Sequence, residues 1–203
     1  MGVDLAPAMV RFARQLHPGM DFREADAEAL PFEDGSFDAA IGNFVVLHLG
    51  RPERAINELV RVVRDGGSLA LTTWDLPDRM RLLGVVLDAF AEAGATAPED
   101  IPVGPPFFRF AVDENFAALL GDSGLTGVEV RTIAFSHHVS TADELWDGLL
   151  NGTVRRLALI LHQPEKTRGL IPAAFDRQIL RYQRGDRFEL PVSVKLALGR
   201  KAA

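Results

Sequence analysis

Two acidic residues near the start of the sequence, Asp4 and Asp26, have the types and spacing suited to binding a nucleoside. Asp4 ends a short apolar segment, Asp26 follows a second one at 21–25, and a helical pattern beginning near Pro7 lies between them. A carboxylate at the end of the first strand of such a unit can accept hydrogen bonds from both hydroxyls of a ribose. The order of strand, helix and strand, with a carboxylate after each strand, therefore predicts a nucleotide-type cofactor site. A simpler role for Asp4, as a cap of the helix that begins near Pro7, stays open.

The elements that would position these carboxylates alternate between strands and helices through the first half of the chain. Apolar residues recur with helical spacing after Pro7 and again after Pro52. The segments 37–46 and 68–73 are almost continuously apolar, which is typical of strands buried on both faces of a parallel sheet. This alternation favours a doubly wound α/β architecture.

Three local expectations follow from the helical patterns. The first helix should bury a stripe of residues at helical spacing, namely Met9, Phe12, Ala13 and Leu16. The second helix should end at 65–67, where a glycine can take a left-handed cap. The arginines are scattered through helical stretches, and we expect them on solvated faces.

The second half of the chain is less regular. A proline-rich loop is predicted at 94–106, a long strand at 128–139 and a helical block at 141–183 that is broken near Asn151-Gly152 and around Pro164. The terminal segment alternates, with Val192, Val194, Leu196 and Leu198 on the face expected to be buried and Ser193, Lys195 and Ala197 on the less buried face.

The predicted fold class is thus α/β, a Rossmann-like doubly wound and mostly parallel sheet with an antiparallel C-terminal strand. A helical insertion precedes that last strand. We expect one domain over 1–203, divided into a cofactor-side core at 1–75, a substrate-side region at 76–139, a helical cap at 140–185 and a closing strand at 186–203. The helical cap and the proline-rich loop would shape the pocket of the second substrate.

Composition narrows the classes of partner. The net charge of -6 and the pI near 5.4 argue against nucleic acid and against an anionic membrane surface. The sequence has no cysteine, no apolar run of membrane-spanning length and no signal-peptide pattern, so a cytoplasmic location is expected. His137 and His138 occupy adjacent strand positions and face opposite ways, so no metal site is predicted.

The residues resemble one family over nearly the whole chain, the class I S-adenosylmethionine-dependent methyltransferases that act on small molecules. The matching segments are Gly2-Val-Asp-Leu5, Ala25-Asp-Ala-Glu-Ala-Leu-Pro-Phe32, Gly35-Ser-Phe-Asp38, Asn43-Phe-Val-Val-Leu-His-Leu49, Arg64-Asp-Gly-Gly67 and Leu71-Thr-Thr-Trp-Asp75. Phe108-Arg-Phe-Ala111, Ser123-Gly-Leu125 and the closing segment 190–199 are similar to the substrate-side part of the same family. No single segment is specific to the family, and the resemblance depends on the order and spacing of all of them.

The resemblance implies a cofactor, S-adenosylmethionine, and a role for each matching residue. Asp4 would hold the ribose hydroxyls, and Asp26 would accept a hydrogen bond from the adenine amino group. The backbone of Ala27 would lie at the edge of the adenine ring, with Leu5 and Leu30 on its two faces.

The methyl-transfer end of the site is less defined by the resemblance. Asn43 would lie near the methionine end of the cofactor and the transferred methyl group. No catalytic residue is assigned. His48 is a weak candidate for a base or for orienting the substrate, and a structural histidine at a strand-to-helix junction is the competing interpretation.

One departure from the family concerns its glycine-rich turn. Members begin with a strand and a Gly-x-Gly turn, and no Gly-x-Gly occurs in this sequence. We therefore expect an N-terminally truncated version of the fold, in which the strand between the Asp4 strand and the 37–46 strand is missing. A non-catalytic subunit or ligand-binding module, including a homo-oligomer that fills the exposed sheet edge, is the first alternative. A nicotinamide-dependent oxidoreductase is the second.

Overall fold

The computed structural model describes residues 1–96, 105–151 and 159–203. The chain forms two compact units. Unit 1 comprises 1–73, 105–131 and 195–203, and unit 2 comprises 74–104 and 132–194. The division into four regions predicted from the sequence stays a prediction. Residues 97–104 of the expected proline-rich loop lie outside the described residues. The predicted break of the helical block at Asn151-Gly152 also lies outside them, from residue 152 onwards.

Unit 1 begins with a strand, a helix and a strand, as the sequence predicts. Strand β1 (Gly2–Asp4) leads into helix α1 (Pro7–Leu16), and strand β2 (Phe22–Glu24) follows. Pro7 occupies the first turn of α1, where a missing N–H costs nothing. β1 and β2 pair in parallel, with Asp4 opposite Glu24. They form a two-stranded sheet of their own.

The prediction that α1 buries an apolar stripe is wrong. Met9, Phe12 and Leu16 are each more than half exposed, and Val10 is the buried residue of the helix. The helical spacing itself is correct, since α1 spans the predicted segment. In the described part of the chain, however, no element packs on that stripe closely enough to cover it.

The second sheet of unit 1 starts from strand β3 (Phe37–Gly42), helix α2 (Pro52–Val62) and strand β4 (Val63–Trp74). β3 and β4 pair in parallel, with Gly42 opposite Leu71. The predicted helix end at 65–67 is wrong, because α2 stops at Val62 and residues 65–67 already belong to β4. Gly66, at a φ of +72°, permits the irregularity that shifts the register of this pair between Phe37 and Ala39.

The C-terminal strand completes this sheet. Strands β5 (Leu125–Val139), β6 (Gln183–Arg184) and β7 (Arg187–Lys201) follow, and the sheet has the order β3-β4-β7-β5, with β6 pairing antiparallel to β7. The mostly parallel sheet with an antiparallel C-terminal strand is confirmed. The predicted burial of its faces is wrong, because Ser193, Lys195 and Ala197 are at most 5% exposed. Lys195 tolerates burial because its Nζ lies 2.7 Å from Asp113 Oδ1.

The core of unit 1 lies between this sheet and helices α2 and α4 (Asp113–Gly121). Ile56 comes from α2, Leu69 and Leu71 from β4, and Phe116 from α4, and all four are 1% exposed or less. The apolar periodicity of α2 predicted this burial. The core fixes α2 against the sheet and thus fixes the helix that supports the candidate site.

Unit 2 is built from helices α3 (Arg81–Glu92), α5 (Ala142–Asn151) and α6 (Glu165–Ile179), together with parts of the long strands. The helices that precede β7 agree with the predicted helical insertion. Ile171 of α6 is fully buried and packs with Ala93, Ile160 and Phe90. Among the described residues, no helix has both the length and the apolar character needed to cross a membrane.

Candidate cofactor-binding site

The paired strands β1 and β2 bring the two predicted carboxylates to the same edge of a sheet. Asp4 is the last residue of β1, and Asp26 follows the last residue of β2 by two positions. The backbone N–H of Ala25 donates to the carbonyl oxygen of Asp4 at 3.0 Å, so the chain leaving β2 stays beside the end of β1. Carboxyl ends of parallel strands are where open α/β sheets bind their ligands.

Each carboxylate is oriented by one backbone amide two residues further along the chain. Asp4 Oδ1 accepts from the N–H of Ala6 at 2.8 Å, and Asp26 Oδ1 accepts from the N–H of Glu28 at 2.8 Å. Asp4 is therefore not the cap residue of α1, which is Ala6. In the described part of the chain, the second oxygen of each carboxylate has no protein donor. These oxygens are left to accept hydrogen bonds from a ligand.

The other predicted adenine contacts differ in exposure. Leu5, directly after Asp4, is 68% exposed, whereas Leu30 is 7% exposed. Ala27 is half-buried within the turn that Asp26 begins. The structure places Leu5, Ala27 and Leu30 on the two segments that follow β1 and β2. Their contacts with adenine stay predictions.

A carboxylate missed from the sequence, Glu28, holds the turn after β2. Its Oε1 accepts from the backbone N–H of Arg51 at 2.8 Å, and its Oε2 accepts from Arg51 Nε at 2.6 Å. Arg54 Nε donates to the carbonyl oxygen of Glu28 at 2.8 Å. Glu28 is only 9% exposed, and buried charge requires such partners. The segment carrying Asp26 is therefore attached to the start of α2.

Arg61, near the end of α2, attaches the rest of the same loop. Its guanidinium donates to the carbonyl oxygens of Leu30 and Phe32 at 3.0 and 2.8 Å and to Asp34 Oδ1 at 2.7 Å. Glu58 accepts from Arg61 Nε at 2.8 Å and from the N–H of Leu30 at 2.8 Å. The hydrogen bond from Arg61 lowers the pKa of the Glu58 carboxyl below its usual value. Arg54 is exposed, as expected of an arginine on a solvated face, whereas the Arg61 side chain is only 31% exposed, so that prediction is wrong for Arg61.

A sequence signal for this attachment exists in α2. Arg51, Arg54, Glu58 and Arg61 recur at spacings of three and four residues, which places them along one side of the helix. Apolar periodicity drew attention to the opposite side. The partner of this polar stripe lies about 30 positions upstream, so the pattern alone could not identify the loop as its target.

Asn43 follows β3 of the second sheet, whereas Asp4 ends β1 and Asp26 follows β2 of the first sheet. Its Oδ1 accepts from the hydroxyl of Thr72 at 2.6 Å, and that hydroxyl accepts from the N–H of Phe44 at 3.0 Å. Phe44 has a φ of +52°, which is unusual for a bulky residue. Sequence analysis named Asn43 and missed Thr72 and the strained residue beside them.

His48, the weak catalytic candidate, ends a short 3₁₀ helix over Val46–His48. The residue is exposed at the surface, yet desolvation by the surrounding protein lowers the pKa of its imidazole below 6.5. The histidine is therefore neutral at neutral pH and able to accept a proton. Among the described residues, no hydrogen bond of the imidazole is recorded, and its catalytic role stays a prediction.

Unit 2 contains a cavity of about 150 Å³ next to the start of the predicted proline-rich loop. Phe90, Ala95, Ile160 and Ile171 supply apolar walls, and Gln163 lines it as well. The side-chain amide of Gln163 already bonds to both backbone groups of Thr96, at 3.1 and 2.7 Å. The cavity therefore suits an apolar group of about the size of a benzene ring.

The fold is Rossmann-like, and its two strand-end carboxylates lie at the sheet edge where such folds bind their ligands. The family profile described as "Methyltransferase domain" matches residues 1–71, the segment that holds Asp4, Asp26 and Asn43. A demethylmenaquinone methyltransferase of Renibacterium salmoninarum is 34% identical over 141 residues. That match covers 66% of this chain and 60% of the relative, so the chain spans less than two thirds of the relative's length.

Solved structures agree on the fold. A Bacillus halodurans protein described as a candidate methyltransferase superposes with a TM-score of 0.57 at 17% identity, over 99% of this chain and 82% of that one. A Haemonchus contortus phosphoethanolamine N-methyltransferase in complex with S-adenosyl-L-methionine gives a TM-score of 0.51 at 15% identity, over 100% of this chain and 43% of that one. The chain therefore shares the fold of these solved structures, and its segment 1–71 is similar to a methyltransferase domain.

Proposed function

We propose that the protein transfers a methyl group from S-adenosylmethionine to a small-molecule acceptor. The observation that supports this most is the pair of carboxylates, Asp4 and Asp26, at the ends of two paired parallel strands, each with one oxygen left for a ligand. The similarity of residues 1–71 to a methyltransferase domain supports S-adenosylmethionine as the nucleoside. The reaction is a direct displacement at the sulfonium methyl, so the protein's main contribution is to hold donor and acceptor in line in a dry pocket.

Each site residue keeps the role that the resemblance implies. Asp4 binds the ribose hydroxyls, Asp26 accepts from the adenine amino group, and Ala27, Leu5 and Leu30 surround the ring. Two segments of the loop after β2 are tied to α2 through Glu28 and Arg61, which supports a preformed adenine pocket. Asn43 contacts the methionine end of the cofactor. His48 is retained only as a candidate base.

The acceptor is a small molecule with an apolar part, a proposal that the name of the Renibacterium relative supports. A demethylated naphthoquinone is the first acceptor to test, because the Renibacterium relative is named a demethylmenaquinone methyltransferase. The assay incubates the chain with S-adenosylmethionine and a short-chain demethylmenaquinone kept reduced as its quinol, because the ring carbon must act as the nucleophile and release a proton. It follows the methylated product and S-adenosylhomocysteine by mass spectrometry. Acceptor-dependent S-adenosylhomocysteine is the expected result. Binding of cofactor with no transfer to any phenol, amine or quinone acceptor would contradict it.

A ligand-binding module without catalysis is the second candidate. The observation in its favour is that the sequence contains no Gly-x-Gly. It predicts saturable binding of S-adenosylhomocysteine and no turnover, so the same assay separates the two candidates.

Location and partners are part of the proposal. The absence of cysteine from the sequence and the net charge of -6 support a cytoplasmic enzyme whose partner is a small molecule rather than nucleic acid. A homo-oligomer is compatible with this function. Light scattering of the purified chain measures its oligomeric state.

A further inference from the structure

Thr72 links two parts of the turn that follows β3. Thr72 directly follows Leu71 on β4, and Leu71 pairs with Gly42 at the end of β3. The Thr72 hydroxyl donates to Asn43 Oδ1 at 2.6 Å and accepts from the backbone N–H of Phe44 at 3.0 Å. One hydroxyl therefore fixes both the side chain of Asn43 and the backbone of the next residue.

The backbone of this turn is strained. Phe44 has a φ of +52°, a conformation that residues other than glycine rarely adopt because it brings Cβ too close to the following carbonyl oxygen. The turn is also tight, because a Cβ on the buried Gly42 would lie 2.7 Å from Leu71 Cδ2. Strain of this kind persists where the surroundings determine the conformation, and it clusters at ligand sites. Thr72 supplies one of the determining contacts by accepting the Phe44 N–H.

The same hydroxyl determines which end of the Asn43 amide is presented to a ligand. Oδ1 of Asn43 is occupied by Thr72, and in the described part of the chain no protein acceptor is recorded for Nδ2. Asn43 is exposed, so its two Nδ2 hydrogens are available as donors. The N–H groups of Asn43 Nδ2 can donate to an anionic oxygen, whereas the ribose hydroxyls would donate to the carboxylate oxygen of Asp4. The anionic oxygens of S-adenosylmethionine are those of its amino-acid carboxylate.

We propose that Thr72 is a positioning residue that orients the Asn43 amide so that Nδ2 donates to the amino-acid carboxylate of the cofactor. This inference rests on the proposed function and adds a residue that the resemblance does not name. It predicts that loss of the Thr72 hydroxyl affects ligands that carry the amino-acid end and spares ligands that lack it.

The experiment compares two ligands on the full chain by calorimetric titration, S-adenosylhomocysteine and adenosine. Thr72→Val removes the hydroxyl at almost constant volume, and Thr72→Ser keeps it. Thr126→Val is the matched control, since Thr126 is an exposed strand residue of the same unit whose hydroxyl donates to the carbonyl oxygen of Arg200 at 3.2 Å. Asn43→Asp keeps an acceptor for Thr72 and replaces the donor with a negative charge.

Thr72→Val should raise the Kd of S-adenosylhomocysteine about tenfold and leave the Kd of adenosine within about twofold, because a hydrogen bond to a charged group is lost. Thr72→Ser and Thr126→Val should bind both ligands like the wild type, and Asn43→Asp should lose S-adenosylhomocysteine selectively. Equal effects of Thr72→Val on both ligands, or no effect, would overturn the inference while the proposed function stands. Binding of neither ligand by the wild type would overturn both.

Discussion

At the scale of single residues, the account depends on the free oxygen of Asp4. Asp4→Asn should raise the Kd of adenosine by about tenfold or more, because hydrogen bonds between the ribose hydroxyls and a carboxylate become weaker neutral ones. The same substitution should have little effect on the Kd of 2′,3′-dideoxyadenosine, which lacks both hydroxyls. Competition titrations with the two nucleosides measure the difference.

Asp38→Asn is the control for Asp4→Asn. Asp38 lies near the start of β3, at the opposite end from Asn43, and bonds to Arg64 at 2.7 Å. Its substitution should leave both Kd values unchanged. A loss of dideoxyadenosine binding as large as that of adenosine would show that Asp4 does not contact the ribose.

The strained backbone of Phe44 gives a second prediction at this scale. Phe44→Gly and Phe44→Ala remove the same aromatic ring, but glycine adopts a φ of +52° without strain. The glycine variant should therefore be more stable than the alanine variant by about 1 kcal/mol. Urea denaturation of the two variants measures the difference. A more stable alanine variant would show that the left-handed conformation is absent in solution.

At the scale of elements, the attachment of the loop after β2 to α2 should make the free energy of unfolding depend on pH. The pKa of Glu58 is lowered from 4.5 in the folded protein, chiefly by the hydrogen bond from Arg61, so folding favours the carboxylate. The stabilisation is fully present above pH 4.5 and is lost as pH falls through the lower folded pKa. Glu58→Gln should therefore flatten the decrease in the free energy of unfolding between pH 5 and the onset of acid denaturation.

Glu114→Gln is the control for the acid series, because Glu114 is exposed on α4 and has no recorded hydrogen bond or ion pair to the described residues of this loop. Denaturant titrations of the three proteins at several pH values give the slopes. Identical slopes for wild type and Glu58→Gln would contradict the proposed attachment.

Two phenylalanines test how burial is distributed among the helices. Phe12 on α1 is 54% exposed and Phe116 on α4 is fully buried. Phe12→Ala should change the free energy of unfolding by less than about 0.5 kcal/mol, whereas Phe116→Ala should cost about 3–5 kcal/mol. A large cost at Phe12 would mean that α1 is covered in solution.

Local patterns predicted element types well and burial less well. Pro7 and Pro52 correctly mark two helix starts, and the apolar run at 37–46 is a strand through Gly42. Periodicity finds the apolar side of a helix but not what packs on it, which is why the α1 stripe was wrong. Lys195 shows the same limit, since its burial depends on Asp113, about 80 positions away. Such long-range pairs leave no local signal.

In the candidate site, too, some residues were predicted from the sequence and others were missed. Asp4 and Asp26 were named from the sequence because they stand at the ends of predicted strands, and Asn43 was named from the family resemblance. Glu28, Arg61 and Thr72 were missed because their roles depend on contacts between distant segments, as between Thr72 and Asn43. A residue at a strand end can be predicted to face a ligand, but the groups that orient it emerge only from the fold.

At the scale of the whole molecule, the match of residues 1–71 to a methyltransferase profile agrees with the likeness in fold, while identity to the solved structures stays below 25%. Likeness in fold at this level of sequence identity does not identify a substrate, since one fold supports many different reactions. The site itself must supply the evidence for the cofactor, and in this chain that evidence lies in unit 1.

The most direct test is a calorimetric titration of the 203-residue chain with S-adenosylhomocysteine, paired with thermal unfolding in the same buffer. The account predicts saturable binding of one ligand per chain and a rise in Tm with ligand concentration, since a ligand that binds the folded state stabilises it. A cooperatively folded chain that gives no binding heat and no shift in Tm would contradict it.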